Sequence, residues 1–211
     1  MSIRILILTL ATLLGGCAVG NRYAYDNITA ETAIRGNGTV AVGTHDQRPY
    51  VLDGDKEPQF VGLQRGGYGN TFDVRTGGGK PLADDMTNSI VGTLNRQGFS
   101  AAPVAIEHTA STGDARTRLL AAGAQRIVLL TVRDWKTDSM MRVGLDFDLT
   151  LSVLGKDGQV LAETSVSGKK EVLGAAPVIP SDAAPMVGNA FKAKLEKLFA
   201  DSAVGRALGN D

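Results

Sequence analysis

The single thiol of the chain, Cys17, has the most pointed chemistry of any side chain in it. Gly15 and Gly16 precede it and leave the backbone open to a peptidase, so Gly16–Cys17 reads as a cleavage point and the sulfur as a nucleophile for covalent attachment. A second candidate is the carboxylate pair Asp146 and Asp148. Two positions apart on a strand, they share one face at roughly 7 Å. Such a pair suits acid–base work on a glycan, with peptidoglycan cleavage as the corresponding activity. The simpler reading is the polar face of a half-wet sheet. The two histidines, His45 and His108, form neither a His-x-x-x-His nor a His-Glu-x-x-His pair. His45 and Asp46, near Asp53 and Asp55, make a weak cation site or, more simply, a solvated acidic turn, and Asp53-Gly54-Asp55-Lys56-Glu57 does not fit a calcium loop, whose glycine stands sixth. Gly79-Lys80 fails as a phosphate loop, because Val74 stands where a glycine is needed and Pro81 where a Ser or Thr is needed. The segment Gly98 to Ala102 fails as a nucleophile elbow at its last position. With one cysteine there is neither a disulfide nor a cysteine metal site. The expectation is therefore a protein without catalytic residues, metal or cofactor.

The elements that must position these groups begin with a leader. Arg4 supplies a positive charge, Ile5 to Leu14 an apolar run of about ten residues, and Leu14-Gly15-Gly16-Cys17 the cut site. Such a run is too short to span a bilayer of roughly 30 Å as a helix. The tetrapeptide resembles the lipobox of bacterial lipoproteins. That resemblance implies removal of residues 1–16, a diacylglyceryl group on Cys17 and anchoring in a membrane through acyl chains such as palmitate. Each buried CH₂ of such a chain contributes about 0.8 kcal/mol. Ala18, in place of an aspartate, implies the outer membrane, with the domain facing the periplasm.

Equal numbers of basic and acidic residues, 22 of each, give no net charge, so no global field attracts nucleic acid. Hydrophobic residues at 43% suit a globular domain. Residues 17–38 are polar and without period, and are expected as a lipidated tether to a single domain over 39–211. Within that domain Thr39 to Val42 reads as a strand. Phe60 to Leu63 and Phe72 to Arg75 read as a hairpin around a glycine-rich turn. Leu82, Met86, Ile90 and Leu94 mark a helix that starts at Pro81, a proline suited to the first turn, and stops at Gly98. A shorter helix is expected from Asp114 to Ala122. The run Ile127 to Val132 reads as a central strand, and the alternation from Arg142 to Leu154 as the clearest strand in the chain. Gly155 to Gly158 turns it into an antiparallel partner. Val187, Phe191, Leu195 and Leu198 give the last helix its buried stripe, with Asp201 capping a final turn. The fold class expected is α+β, one mostly antiparallel or mixed sheet with two to three helices packed on one face.

The order of lipobox, short strand, Asp46-Gln47-Arg48, helix ending Gly98-Phe99, second helix, apolar strand, hairpin at Gly158 and terminal helix resembles the YajG-like lipoproteins. Gly123-Ala124 and Gly158 to Ala162 are also similar to periplasmic domains of the curli-secretion lipoprotein and of TolB. Those resemblances imply an envelope interaction domain and supply no catalytic residues. The partner expected is another envelope protein, met at Arg48, Arg65 and Tyr68, since loops on a rigid scaffold often carry function. The alternative reading is a periplasmic enzyme, or a binder of peptidoglycan or a small molecule, built near Asp146 and Asp148.

Overall fold

The structure is a computed structural model and describes residues 21–209. The leader, the cleavage point at Gly16 and the lipidation residue Cys17 lie outside the described residues.

Eight strands form one mixed sheet: β1 (Arg22–Tyr23), β2 (Thr39–Asp46), β3 (Phe60–Arg65), β4 (Thr71–Thr76), β5 (Ser100–Pro103), β6 (Arg126–Ser139), β7 (Arg142–Gly155) and β8 (Val160–Ala175). The helices are α1 (Pro49–Leu52), α2 (Leu82–Arg96), α3 (Thr112–Leu120), α4 (Ala184–Phe199) and α5 (Ser202–Leu208), with a 3₁₀ turn at Pro180–Ala183 before α4. The class is the α+β one expected.

An antiparallel meander, β6–β7–β8, makes the larger part of the sheet. The alternation in β7 does what its period demands: Val143, Leu145, Phe147, Leu149, Leu151 and Val153 are buried on one face. On its other edge β6 carries two strands end to end. β2 runs parallel to its first half, from Val40↔Arg126 to Asp46↔Val132. β3 runs parallel to its last residues, from Gly62↔Thr137 to Gln64↔Ser139. Between them the β6–β7 register shifts at Val132/Asp134, a bulge at Arg133. Parallel β5 extends the sheet beyond β2, and antiparallel β4 with parallel β1 extends it beyond β3.

Two glycines are required by close approach. A Cβ on Gly62 would meet Thr137 Oγ1 at 1.9 Å and the Thr137 carbonyl oxygen at 2.6 Å. Gly98, just past α2, has φ +96, and a Cβ there would meet the Gly36 carbonyl oxygen at 2.7 Å.

The main core lies between one face of the sheet and α2, α4 and α5. Leu82, Met86, Ile90 and Leu94 of α2 and Val187, Phe191, Leu195 and Leu198 of α4 fill it. At its centre Tyr25, Trp135 and Phe191 meet edge to face, with centroids 5.5 to 6.0 Å apart. The Trp135 indole N–H donates to the Tyr25 hydroxyl at 3.0 Å. One placement differs from expectation. Helix α3 packs on the opposite face, where Ala115 and Leu119 cover Ala41, Ile127, Leu129 and Leu154. The continuous apolar run of β6 is the cause, since it must be covered on both sides. A full capping box, Ser111 with Asp114, starts that helix.

A second correction concerns the tether. From Asn21 onward the chain belongs to the domain: Tyr23, Tyr25, Ala30 and Ile34 are buried. Their apolar surface lies within a polar, aperiodic stretch, so no sequence period marks it.

Candidate interaction surface

Of the three residues expected to meet a partner, Arg48 is placed elsewhere. It is fully buried at the fork where β2 leaves β6 and the chain turns toward β3. Its Nε and Nη2 donate to Asp46 Oδ1 and Oδ2 at 2.8 and 2.6 Å. Nη1 donates to the Phe60 carbonyl at 2.5 Å and Nη2 to that of Pro58 at 2.9 Å. The planar fork of the guanidinium thus ties the end of β2 to the start of β3. Asp46-Gln47-Arg48 is a structural clamp, and Arg48 is withdrawn from the partner surface.

Arg65 and Tyr68 do share one element, the β3–β4 hairpin. Its glycine-rich turn closes through Gly66 N–H to the Asn70 carbonyl at 2.8 Å and Gly69 N–H to the Gly66 carbonyl at 2.9 Å. The Tyr68 side chain stands wholly in solvent at the tip, and Phe72 is partly exposed behind it. Arg65 donates through Nε and Nη2 to both oxygens of Asp138 at 2.8 and 2.6 Å. This pairing holds the Asp138 carboxyl below its ordinary range. The ion pair fastens the last residue of β3 to β6, so the exposed tip rises from a fixed base.

The carboxylates of the enzymatic reading sit on the outer face of β7, each facing a cation. Asp146 lies 4.0 Å from Lys136 and accepts the Lys170 N–H at 2.7 Å. Asp148 lies 3.9 Å from Arg133. Beside them is a groove of about 440 Å³, lined by Tyr50, Arg133, Asp134, Phe147, Asp148 and Lys169. Asp134 accepts from the Tyr50 hydroxyl at 3.2 Å and from the Lys169 ammonium. Burial pushes the Tyr50 hydroxyl far above its ordinary value, so it stays a neutral donor. The groove is a mixed polar surface able to hydrogen-bond a sugar or similar polar ligand. His45 is buried with Nε2 2.9 Å from the Ala110 carbonyl oxygen, whereas Asp53 and Asp55 stand exposed after α1. Among the described residues no three His, Cys, Asp or Glu side chains converge as metal ligands.

Exposed apolar residues that went unread in the sequence include Met140 and Met141 in the β6–β7 turn and Val178 and Ile179 after β8; Leu52, Val160, Leu161 and Val172 are exposed too. The available signal was an adjacent methionine pair in the turn between two alternating strands. Among the described residues no helix is long and apolar enough to cross a membrane.

No family model matches the chain, and no curated protein matches it. Among solved structures, protein XCC0632 of the DUF330 family from Xanthomonas campestris is similar in fold. Its TM-score is 0.52 at 13% identity, over 85% of this chain and 92% of its own. A PelC dodecamer from Paraburkholderia phytofirmans gives 0.42 at 11% identity over 87% and 95%. The lipoprotein GNA1162 from Neisseria meningitidis gives 0.30 at 12% over 76% and 99%. At such identities the likeness to XCC0632 is one of fold alone.

Proposed function

We propose that the chain is an outer-membrane lipoprotein, held by a lipid on Cys17, whose periplasmic domain is a non-enzymatic module that binds another envelope protein. The observation that carries this reading is the sequence Leu14-Gly15-Gly16-Cys17 four positions before the first described residue of a folded domain. The YajG-like order of elements supports it. The contact element is the β3–β4 hairpin, with Tyr68 free at its tip and Arg65 at its base. Aromatic and arginine side chains are the types enriched where partners bind tightly.

Two measurements test it. Palmitate should label the wild-type protein and not Cys17→Ser; equal labelling refutes the anchor. A photoreactive amino acid in place of Tyr68 should capture one envelope protein in living cells, and the same probe at Lys156, in the β7–β8 turn, should not. Capture at neither position refutes the hairpin as the contact. A second reading is favoured by the groove beside Tyr50 and Asp148: a binder of peptidoglycan fragments or a small polar molecule. Retention of the protein on purified peptidoglycan, lost in Tyr50→Phe, would establish it.

A further inference from the structure

Four exposed apolar side chains lie around the point at which the chain enters the domain. Met140 and Met141 form the tip of the β6–β7 turn and are 54% and 78% exposed. The Met141 carbonyl accepts the Ala176 N–H at 3.0 Å, which brings the segment after β8 alongside that turn. Two residues further on, Val178 is completely exposed and Ile179 is 60% exposed. The next carbonyl, that of Pro180, accepts from the Asn21 side-chain amide. Asn21 is the first described residue and immediately precedes β1. Hydrogen bonds therefore link the methionine turn, the Val178–Ile179 segment and the start of the domain. β1 runs parallel to β4, away from the hairpin tip, so Asn21 lies toward the end of the sheet that carries the tip and the β6–β7 turn.

We infer that this end of the domain rests on the lipid surface, with Met140, Met141, Val178 and Ile179 inserted at the interface. The inference deepens the lipoprotein reading and rests on it. Ala18, Val19 and Gly20 alone separate Cys17 from Asn21. Four Cα–Cα steps reach at most about 15 Å. Lipidated at Cys17, the domain cannot stand clear of the membrane, and the surface beside Asn21 must face it. Isolated apolar side chains are ordinary on a protein surface, but four of them gathered at an anchoring point form a patch of the kind that enters a headgroup region. Charge agrees. Arg22 and Arg75 are neighbours in the β1–β4 pairing, Arg142 begins β7 beside the methionines, and all three are exposed. Asp182 is the exposed acid nearest this segment in sequence, and Asp138 is paired with Arg65. Anionic headgroups suit such a rim. By the β3–β6 register the tip of the β3–β4 hairpin lies at this same end, beside the methionine turn, so a protein held at Tyr68 would be met next to the membrane surface.

The test uses the full lipidated chain. Because Cys17 is the sole cysteine and is consumed by lipid, a cysteine introduced elsewhere takes an environment-sensitive fluorophore uniquely. Met140→Cys, Val178→Cys and Lys156→Cys proteins, the last labelled in the turn at the far end of the β7–β8 hairpin, are reconstituted into vesicles of phosphatidylethanolamine and phosphatidylglycerol carrying a lipid-borne quencher. The inference expects blue-shifted emission and severalfold stronger quenching at positions 140 and 178 than at 156. Equal or weaker quenching at 140 and 178, in protein that labels with palmitate, overturns it and leaves the lipoprotein reading standing. Absence of palmitate labelling overturns both. A photoreactive group at position 140 that captures a protein rather than lipid in cells also overturns it, because a protein partner would then own this face.

Discussion

Replacing Arg48 with alanine should be among the most damaging single changes in the molecule, although arginine is ordinarily a surface residue. The guanidinium is fully buried, and the Asp46 side chain it neutralises is only 3% exposed. Its removal strands a carboxylate in the interior and takes hydrogen bonds from the carbonyls of Phe60 and Pro58. Breaking a buried pair from one side costs about 3–5 kcal/mol. For a domain of this size each kcal/mol lowers Tm by about 2–4 °C, so the drop should be roughly 6–20 °C. Trp135 is the only tryptophan and is completely buried, which makes its fluorescence a direct reporter of urea unfolding. The double variant Asp46→Leu/Arg48→Met should recover about 2 kcal/mol or more, because an apolar pair of similar volume carries no charge to desolvate. A loss below about 1 kcal/mol in Arg48→Ala, or a double variant worse than the single one, would show that the clamp does not hold the fork.

Three other outcomes are expected. Asp85, buried in the first turn of α2 with one carboxylate oxygen unpartnered, has its pKa pushed up from 3.8 to about 6, chiefly by burial and next by Asp26. The native state holds that proton more tightly than the unfolded chain, so the associated stability is complete below pH 3.8 and lost as pH rises through 6; Asp85→Asn should gain on wild type by up to ~3 kcal/mol between pH 4 and 7, as read by urea titration across that range. Gly62→Ala should lose about 1–3 kcal/mol, and Thr137→Ala should fail to rescue it because the Thr137 carbonyl stays in place; thermal melts of the three proteins decide this. Tyr25→Phe leaves the buried Trp135 N–H without its acceptor and should cost about 1–3 kcal/mol, measured by chemical denaturation.

What could be read from the sequence was whatever a local period encodes. The four-residue spacing of Leu82, Met86, Ile90 and Leu94 names the buried stripe of α2, and the alternation from Val143 to Val153 names the inner face of β7. Pairing is not local. Val40 faces Arg126 across a parallel ladder because distant apolar faces fit, and neither segment signals the other. Tyr23 ends a two-residue strand, too short to show alternation, and Tyr25 follows it outside any strand, so both read as tether. Arg48 reads as surface because charge usually is; the missed cue was Asp46, two positions earlier, close enough to neutralise it inside. The exposed hairpin that carries Tyr68 was legible as a hairpin because a turn rich in glycine, between two strands, is forced outward.

The shared edge of β6 has a consequence for how the molecule opens. β2 and β3 occupy successive stretches of one strand and are held to it by separate sets of hydrogen bonds, from Arg126 to Val132 and from Thr137 to Ser139. The unit β1–β4–β3 can therefore peel away while β5–β2 stays docked. Amide hydrogen exchange should resolve two sub-global openings, the β3 amides exchanging before those of β2, because β3 has three paired positions on β6 and β2 has seven. The hairpin that displays Tyr68 would then be the cheaper of the two to dislodge, an element free to be remodelled by whatever it meets without unfolding the domain that carries it.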